Sequence, residues 1–288
     1  MLIYRMFRIF VVLGLTTLAG CSSLIESQTS QLADNLSNAV YNNDDLATVE
    51  TALPTFIVMV DGLIEGSPES VGLLSTGASL NGAMAANFVS VDDMARKQRL
   101  VNKSRAYALR AACAQSDSLC ALDQRPFDEF SRVVAETDAD DLPVLYTLGV
   151  SWLGWLQVHS GDWNAVAQLP KAQLLLERVV ELDDGYDHGM AHLYLGGIAT
   201  LLPPALGGKP DVGREHFERA IALSEGKNLM AKVVYAQQYA RLVFDQELHH
   251  RLLTEVLEAD PNSEGFVLIN AVAQQQATAL LASEADYF

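Results

Sequence analysis

The chain has 288 residues, is 50% hydrophobic and carries a formal net charge of −17. With no basic stripe to offset phosphates, that balance excludes a nucleic-acid binder, and it argues against electrostatic attachment to an anionic membrane. The length suits one large domain or two small ones.

Residues 1–20 read as a secretory leader: Arg5 and Arg8, an apolar run from Ile9 to Leu18, then Ala19-Gly20 before Cys21. The run is shorter than the roughly 20 residues a span needs. Leu18-Ala19-Gly20-Cys21 resembles the lipobox of bacterial lipoproteins, which implies cleavage before Cys21 and lipid attachment to its thiol. Ser22 rather than Asp follows the cysteine, so in a two-membrane bacterium the resemblance favours the periplasmic side of the outer membrane. The leader holds two cations and no acid, so its removal takes the net charge from −17 to −19.

Residues 21–30 form a polar tether, and 31–288 read as a single all-helical domain. A weak helix over Gln31–Tyr41 ends at Asn42-Asn43-Asp44-Asp45; a second runs from Leu46 to Glu65, bent at Pro54. Ser67 is placed as N-cap, with Pro68 in the first turn, of a Gly-, Ala- and Ser-rich helix to Phe88. Asp92-Asp93 opens a long helix through Cys113. Cys113 and Cys120 either close a small loop as a disulfide in an oxidising compartment or stay free thiols. A short amphipathic helix spans Gln124–Glu136.

Leu142–Val158 has no charged residue, and its tryptophans without basic flanks mark it as a buried helix rather than a membrane span. Pro170 starts an amphipathic helix to Leu182. Gly189–Leu202 is again uncharged apart from His192; Pro203-Pro204-Ala205-Leu206-Gly207-Gly208-Lys209-Pro210 breaks it; Val212–Leu223 returns as an amphipathic partner. Helices over Leu229–Phe244, Gln246–Ala259 and Glu264–Ser283 complete an all-α chain without strand-like alternation.

The last half repeats. Leu145, Leu148, Gly149 and Trp152 match His192, Leu195, Gly196 and Ala199, and then Lys232, Tyr235, Ala236 and Tyr239, in the first-helix positions of a degenerate tetratricopeptide unit. The fold predicted is a tetratricopeptide-like stack of helical hairpins, an α-solenoid with extra N-terminal helices. In such a stack the first helices line a concave wall. Their lack of charge predicts an apolar groove, unless N-terminal helices fill it as core. Trp152, Trp155 and Tyr194 are candidate wall residues, and Lys232 and Arg241, on the third inner helix, candidates to meet a ligand carboxylate.

Asp141–Tyr146, Leu201–Gly208, His216–Ala220 and Gly226–Lys232 resemble the T component of tripartite ATP-independent periplasmic (TRAP) transporters. The resemblance runs from about Leu36 and is most specific from Asp141 to Pro261. It implies a periplasmic lipoprotein with a central cavity or pore that associates with the solute-binding P component, forms a homotrimer and handles hydrophobic small molecules, carboxylated ones included. The alternative is an outer-membrane scaffold for envelope protein assembly.

No catalytic or cofactor motif is present: there is no GxSxG, P-loop or GxGxxG. His188 and His192 stand four apart, but no third metal ligand is specified. The sequence therefore predicts no enzyme, metal or cofactor.

Overall fold

A computed structural model describes residue 35 and residues 37–288; the leader, Cys21 and most of the tether lie outside the described residues. The chain is an all-α stack of packed helices, with no strand among the described residues.

After a helical stretch at 37–41, α1 (Leu46–Gly66) and α2 (Val71–Asn87) pack against each other, and α2 packs on α3 (Met94–Gln115). Asp45 caps α1, accepting from the backbone N–H groups of Ala47 and Thr48. Among the described residues α1 alone is long and apolar enough to cross a membrane. Its row of Val49, Leu53, Ile57, Val60 and Ile64 is buried in the core, and Asp61 pairs with Lys103 of α3.

One local expectation changes here. Pro54 lies inside α1, as the sequence placed it, but α2 begins at Val71 with Ser70, not Ser67, as its N-cap. Ser67 and Pro68 form the turn between the helices, where the Ser70 N–H donates to the Ser67 carbonyl. The Ser-Pro pair is equally good chemistry for a turn, so local sequence did not decide between the two placements.

Cys113 and Cys120 are joined by a disulfide at the end of α3. Closing so short a loop contributes about 2–3 kcal/mol in the chain-entropy account. Reduction should therefore lower the urea midpoint by a corresponding amount, and Cys120→Ser should abolish the response to reductant.

Next come α4 (Phe127–Ala135), α5 (Leu142–Val158), a single turn α6 (Trp163–Val166) and α7 (Leu169–Leu182). The uncharged α5 packs on α2, α3 and α7, which is why it tolerates apolar residues on most of its circumference. A 3₁₀ turn at Tyr186–Gly189 leads into α8 (Met190–Ala199), which pairs with α9 (Pro210–Leu223). Then α10 (Leu229–Val234) continues as a π-helical turn, Tyr235–Ala240, followed by α11 (Gln246–Glu258), α12 (Val267–Ala282) and α13 (Glu284–Tyr287).

Buried residues form two hydrophobic clusters. The first joins α1 to α8 around Leu74, Phe130, Leu148, Trp152 and Leu176. The second joins α8 to α12 around Phe217, Ala231, Leu253 and Ala273. Helix α8 belongs to both, giving Ala191 and Leu195 to the first and Leu193 to the second. Fully buried Asn270 of α12 ties the second cluster at its base: it accepts from the Leu229 N–H at 2.9 Å and donates to the carbonyls of Lys227 and Pro261 at 2.9 and 3.1 Å.

Candidate functional site

Helices α5 and α8 each bury one face and leave an uncharged stripe partly accessible. On α5 the stripe is Pro143, Tyr146, Val150 and Leu153, spaced three or four apart, with Gly154 beside it. On α8 it is Met190, Tyr194, Gly197 and Ile198. The sequence predicted an apolar wall on these helices unless N-terminal helices filled it as core; α2 and α3 pack on α5, and Tyr146, Val150, Leu153, Tyr194 and Ile198 pack against the first cluster.

Tyr146, Tyr186 and Tyr194 lie near the start of the stripes, with the exposed Asp187 following Tyr186 in the 3₁₀ turn. Tyr146 comes from α5, Tyr194 from α8, Tyr41 from the helical stretch before α1, and Tyr186 with Asp187 from the 3₁₀ turn. The rings of Tyr146 and Tyr186 meet edge to face, 5.4 Å between centroids. Burial pushes all four phenols above the ordinary tyrosine value, and the Asp187 charge pushes each further in the same direction. Tyr194 and Tyr41 act on Tyr146 in the same way. Tyr146, Tyr186 and Tyr194 pack against the first cluster while keeping partly accessible surface, and Tyr41 is 38% exposed.

The turn that delivers Asp187 is strained. Asp187, His188 and Gly189 have φ of 47°, 57° and 77°, three left-handed residues in succession. Gly suits that region and Asp and His tolerate it, but each non-glycine residue there costs about 1–2 kcal/mol. The His188 ring is turned onto Phe266, 5.0 Å between centroids, and so does not join His192 as the i, i+4 spacing suggested.

His192 has a different partnership. Its Nδ1 lies 2.8 Å from Nδ1 of His216 on α9, and its Nε2 lies 2.7 Å from Asp184 Oδ1; Arg219 donates to the other oxygen of Asp184. One imidazole must donate and the other accept for the Nδ1–Nδ1 bond to exist. With the His192 Nε2–H given to Asp184, the neutral pair has the His216 Nδ1–H donating to His192. A further proton on His192 Nδ1 would set two N–H groups against each other and break the bond, whereas one on His216 Nε2 would leave it in place.

The electrostatics agree. Burial, and then the neighbouring His192, hold His216 below its ordinary 6.5, while hydrogen bonds from Arg219 and then His192 hold Asp184 below its ordinary 3.8. Glu215 is the charge that opposes the shift of His216. Both depressed values mean that the unfolded chain takes up protons before the folded one. Stability is then fully present above the unfolded histidine value and is lost as pH falls through it, with a further loss through the carboxylate range. Urea midpoints measured from pH 8 to pH 5, on the order of the unperturbed histidine value, should decline. The decline near the histidine value should shrink in His216→Asn.

The predicted ligand-contacting residues are not gathered in one place. Tyr194 lies on the partly accessible stripe of α8, packed against the first cluster. Trp152 is fully buried: its ring meets Phe130 edge to face at 6.0 Å and its indole N–H donates to Gln168 Oε1 at 3.1 Å. Trp155 is half-buried and donates to Asn102 Oδ1 at 2.8 Å. The Arg105 guanidinium lies 4.5 Å from both tryptophan ring centroids, on the α3 side of α5. Lys232 pairs with Glu255 of α11 at 2.7 Å. Arg241 donates to His249 Nε2 at 3.3 Å and to Ser283 Oγ at 3.0 Å, and lies 4.7 Å from the Tyr287 ring centroid. Both cations are thus engaged within the second hairpin group. Their assignment to a ligand carboxylate rested on helical position, which does not fix which partner a long, flexible side chain reaches.

Tyr41, Tyr146, Tyr186 and Asp187 were not singled out from the sequence. The available signal was the run Asp183-Asp184-Gly185-Tyr186-Asp187-His188-Gly189, whose turn-formers mark a constrained loop.

A family model described as TRAP transporter T-component matches residues 42–288. A comparison with curated proteins finds no match.

Proposed function

The chain belongs to the TRAP transporter T-component family, and from that premise we propose that it is a non-enzymatic accessory which docks a solute-binding P component and binds or passes a hydrophobic small molecule. The observation that carries this reading is the pair of uncharged, partly accessible stripes on α5 and α8, a surface suited to an apolar ligand and poorly suited to a charged peptide. Lipid on Cys21 would hold the chain at the periplasmic side of the outer membrane, and a homotrimer would enclose the ligand path.

The docking element in this reading is the turn after α8. Residues 201–207 are all exposed, with Leu201 at 57%, Leu202 at 48% and Leu206 at 67%. An uncharged run of that kind, held by the Lys209 N–H donating to the Ala199 carbonyl at 2.8 Å, suits contact with a protein. The scaffold alternative also explains this loop but leaves the stripes without a role.

Native mass spectrometry of residues 22–288, alone and with the matched P component, tests the proposal. A co-purifying apolar mass and a complex with the P component are expected, and the subunit number is read at the same time. A ligand-free chain that ignores the P component would overturn it. Exchange of residues 203–208 for a Gly-Ser linker should remove the complex while leaving the ligand mass.

A further inference from the structure

Successive helices from α5 onward run in opposite directions, so their turns fall on two opposite edges of the stack. Three contacts define the first edge. Tyr146, near the start of α5, meets Tyr186 of the turn before α8. His188 of that turn meets Phe266 of the turn before α12. Asn270, in the first turn of α12, donates to the Lys227 carbonyl in the turn before α10. The second edge then carries the turns at 159–168, 200–209 and 242–245, and the chain end at 283–288. Thr200 Oγ1 lies 3.2 Å from Gln238 Oε1, Arg241 donates to Ser283 Oγ at 3.0 Å, and the Phe244 and Tyr287 rings are 5.9 Å apart between centroids.

The two edges differ in chemistry. Of the large apolar side chains that residues 142–288 expose, all but Leu257 lie in or beside the turns of the second edge. Trp163 is 85% exposed and Phe244 71%, so the apolar surface at 201–207 is one member of a row. The turns of the first edge, at 183–189, 224–228 and 259–266, expose no large apolar side chain, and Asp183, Asp187, Glu225 and Asp260 are exposed there instead. Single exposed apolar residues are ordinary, whereas a row of them marks a contact surface.

The row also carries a charge pattern. An exposed aspartate neighbours an exposed apolar residue four times: Asp162 with Trp163, Asp211 with Val212, Asp245 with Phe244, and Asp286 with Tyr287. Carboxylates so placed repel anionic lipid head groups and complement basic side chains. Packed helices stand about 10 Å apart, so a row of four turns is about 30 Å long. That suits an ordinary protein interface of about 800 Å² per partner, with aromatic anchors seated in pockets. We propose that this whole edge, and not the turn at 201–207 alone, is the docking face, and that it fits a folded protein whose apolar pockets are flanked by lysine or arginine. This rests on the proposed docking of a P component and deepens it.

The test is calorimetric titration of residues 22–288, which retain every described residue, with the matched P component at about 0.15 M salt. Trp163→Ser and Phe244→Asn lie in turns outside 201–207, and each should weaken binding about tenfold or more. Their melting curves should stay close to the parent's, because both side chains are exposed and Asn tolerates the φ of 57° at position 244. Asp211→Lys should also weaken binding, and Leu257→Ser, off the row, should not.

Unchanged affinity in both turn variants would overturn the inference while leaving docking through 201–207 standing. A parent chain that ignores the P component would overturn the docking role and the inference with it. Tighter binding by Asp211→Lys would overturn the basic character assigned to the partner. Binding to phosphatidylcholine vesicles that Trp163→Ser abolishes would overturn the inference in favour of a bilayer. A fall in subunit number in Trp163→Ser would overturn it in favour of a second copy of this chain.

Discussion

Trp152→Ala should lower the free energy of unfolding by about 3–5 kcal/mol, the range for a fully buried aromatic truncated to alanine. The indole is 0% exposed and fills the space between α5, α4 and α7. Its removal takes away the edge contact with Phe130 and the indole donor to Gln168. It also strips one of the two tryptophan faces from Arg105, whose Nε is already buried without a partner. The guanidinium is held below its ordinary value by burial, partly offset by Asp123, so it has little spare solvation to absorb that loss. Denaturant titration gives the magnitude. Trp155→Ala, at a half-buried position, should cost distinctly less. Equal losses at the two positions would contradict the assignment of Trp152 to the core and Trp155 to its margin. Trp152→Phe should leave ligand binding intact if that assignment holds.

The second large effect belongs to the α8–α9 pair. Phe217 is fully buried, stacks on Tyr235 with 5.3 Å between centroids, and lies over Gly196. Phe217→Ala should cost about 3–5 kcal/mol by the same cavity argument. Gly196→Ala works from the opposite side. A Cβ there would lie 2.8 Å from both Cδ1 and Cε1 of Phe217, and overpacking of this kind costs about 1–3 kcal/mol. The stacked Tyr235 ring limits how far Phe217 can retreat. In the double variant the new methyl group occupies part of the vacated space, so the combined loss should be smaller than the sum of the single losses. A double-mutant cycle measures that coupling directly. Strict additivity would show that the two residues do not share one packing constraint.

The pairing of Gly196 with Phe217 was legible in outline. The repeat placed small residues at Gly149 and Gly196, and the structure sets both against partner-helix side chains, Leu176 and Phe217. Helix order, the uncharged character of α5 and α8, and the breaks around Pro203 and Asn228 follow from periodicity and turn chemistry, which act over a few residues. The family was legible for the same reason: its signature runs are local, and the match covers residues 42–288.

The candidate site was legible only through Tyr194. Its other members come from α5, from a turn and from the stretch before α1, segments that no sequence period connects. Likewise His192 was visible as one of two histidines four apart, but its partner is His216, 24 positions away and across the hairpin. Lys232 and Arg241 had the right charge and the right helix, yet Glu255 and the His249–Ser283 group claim them.

By itself, then, the sequence determined what short-range physics controls: the order of the helices, which of them lack charge, where the chain turns, and the family those runs identify. Only the tertiary structure decided which side chains converge, because convergence depends on crossing helices and on one left-handed turn at Asp187–Gly189. It put Trp152 in the core and exposed the apolar run at 201–207.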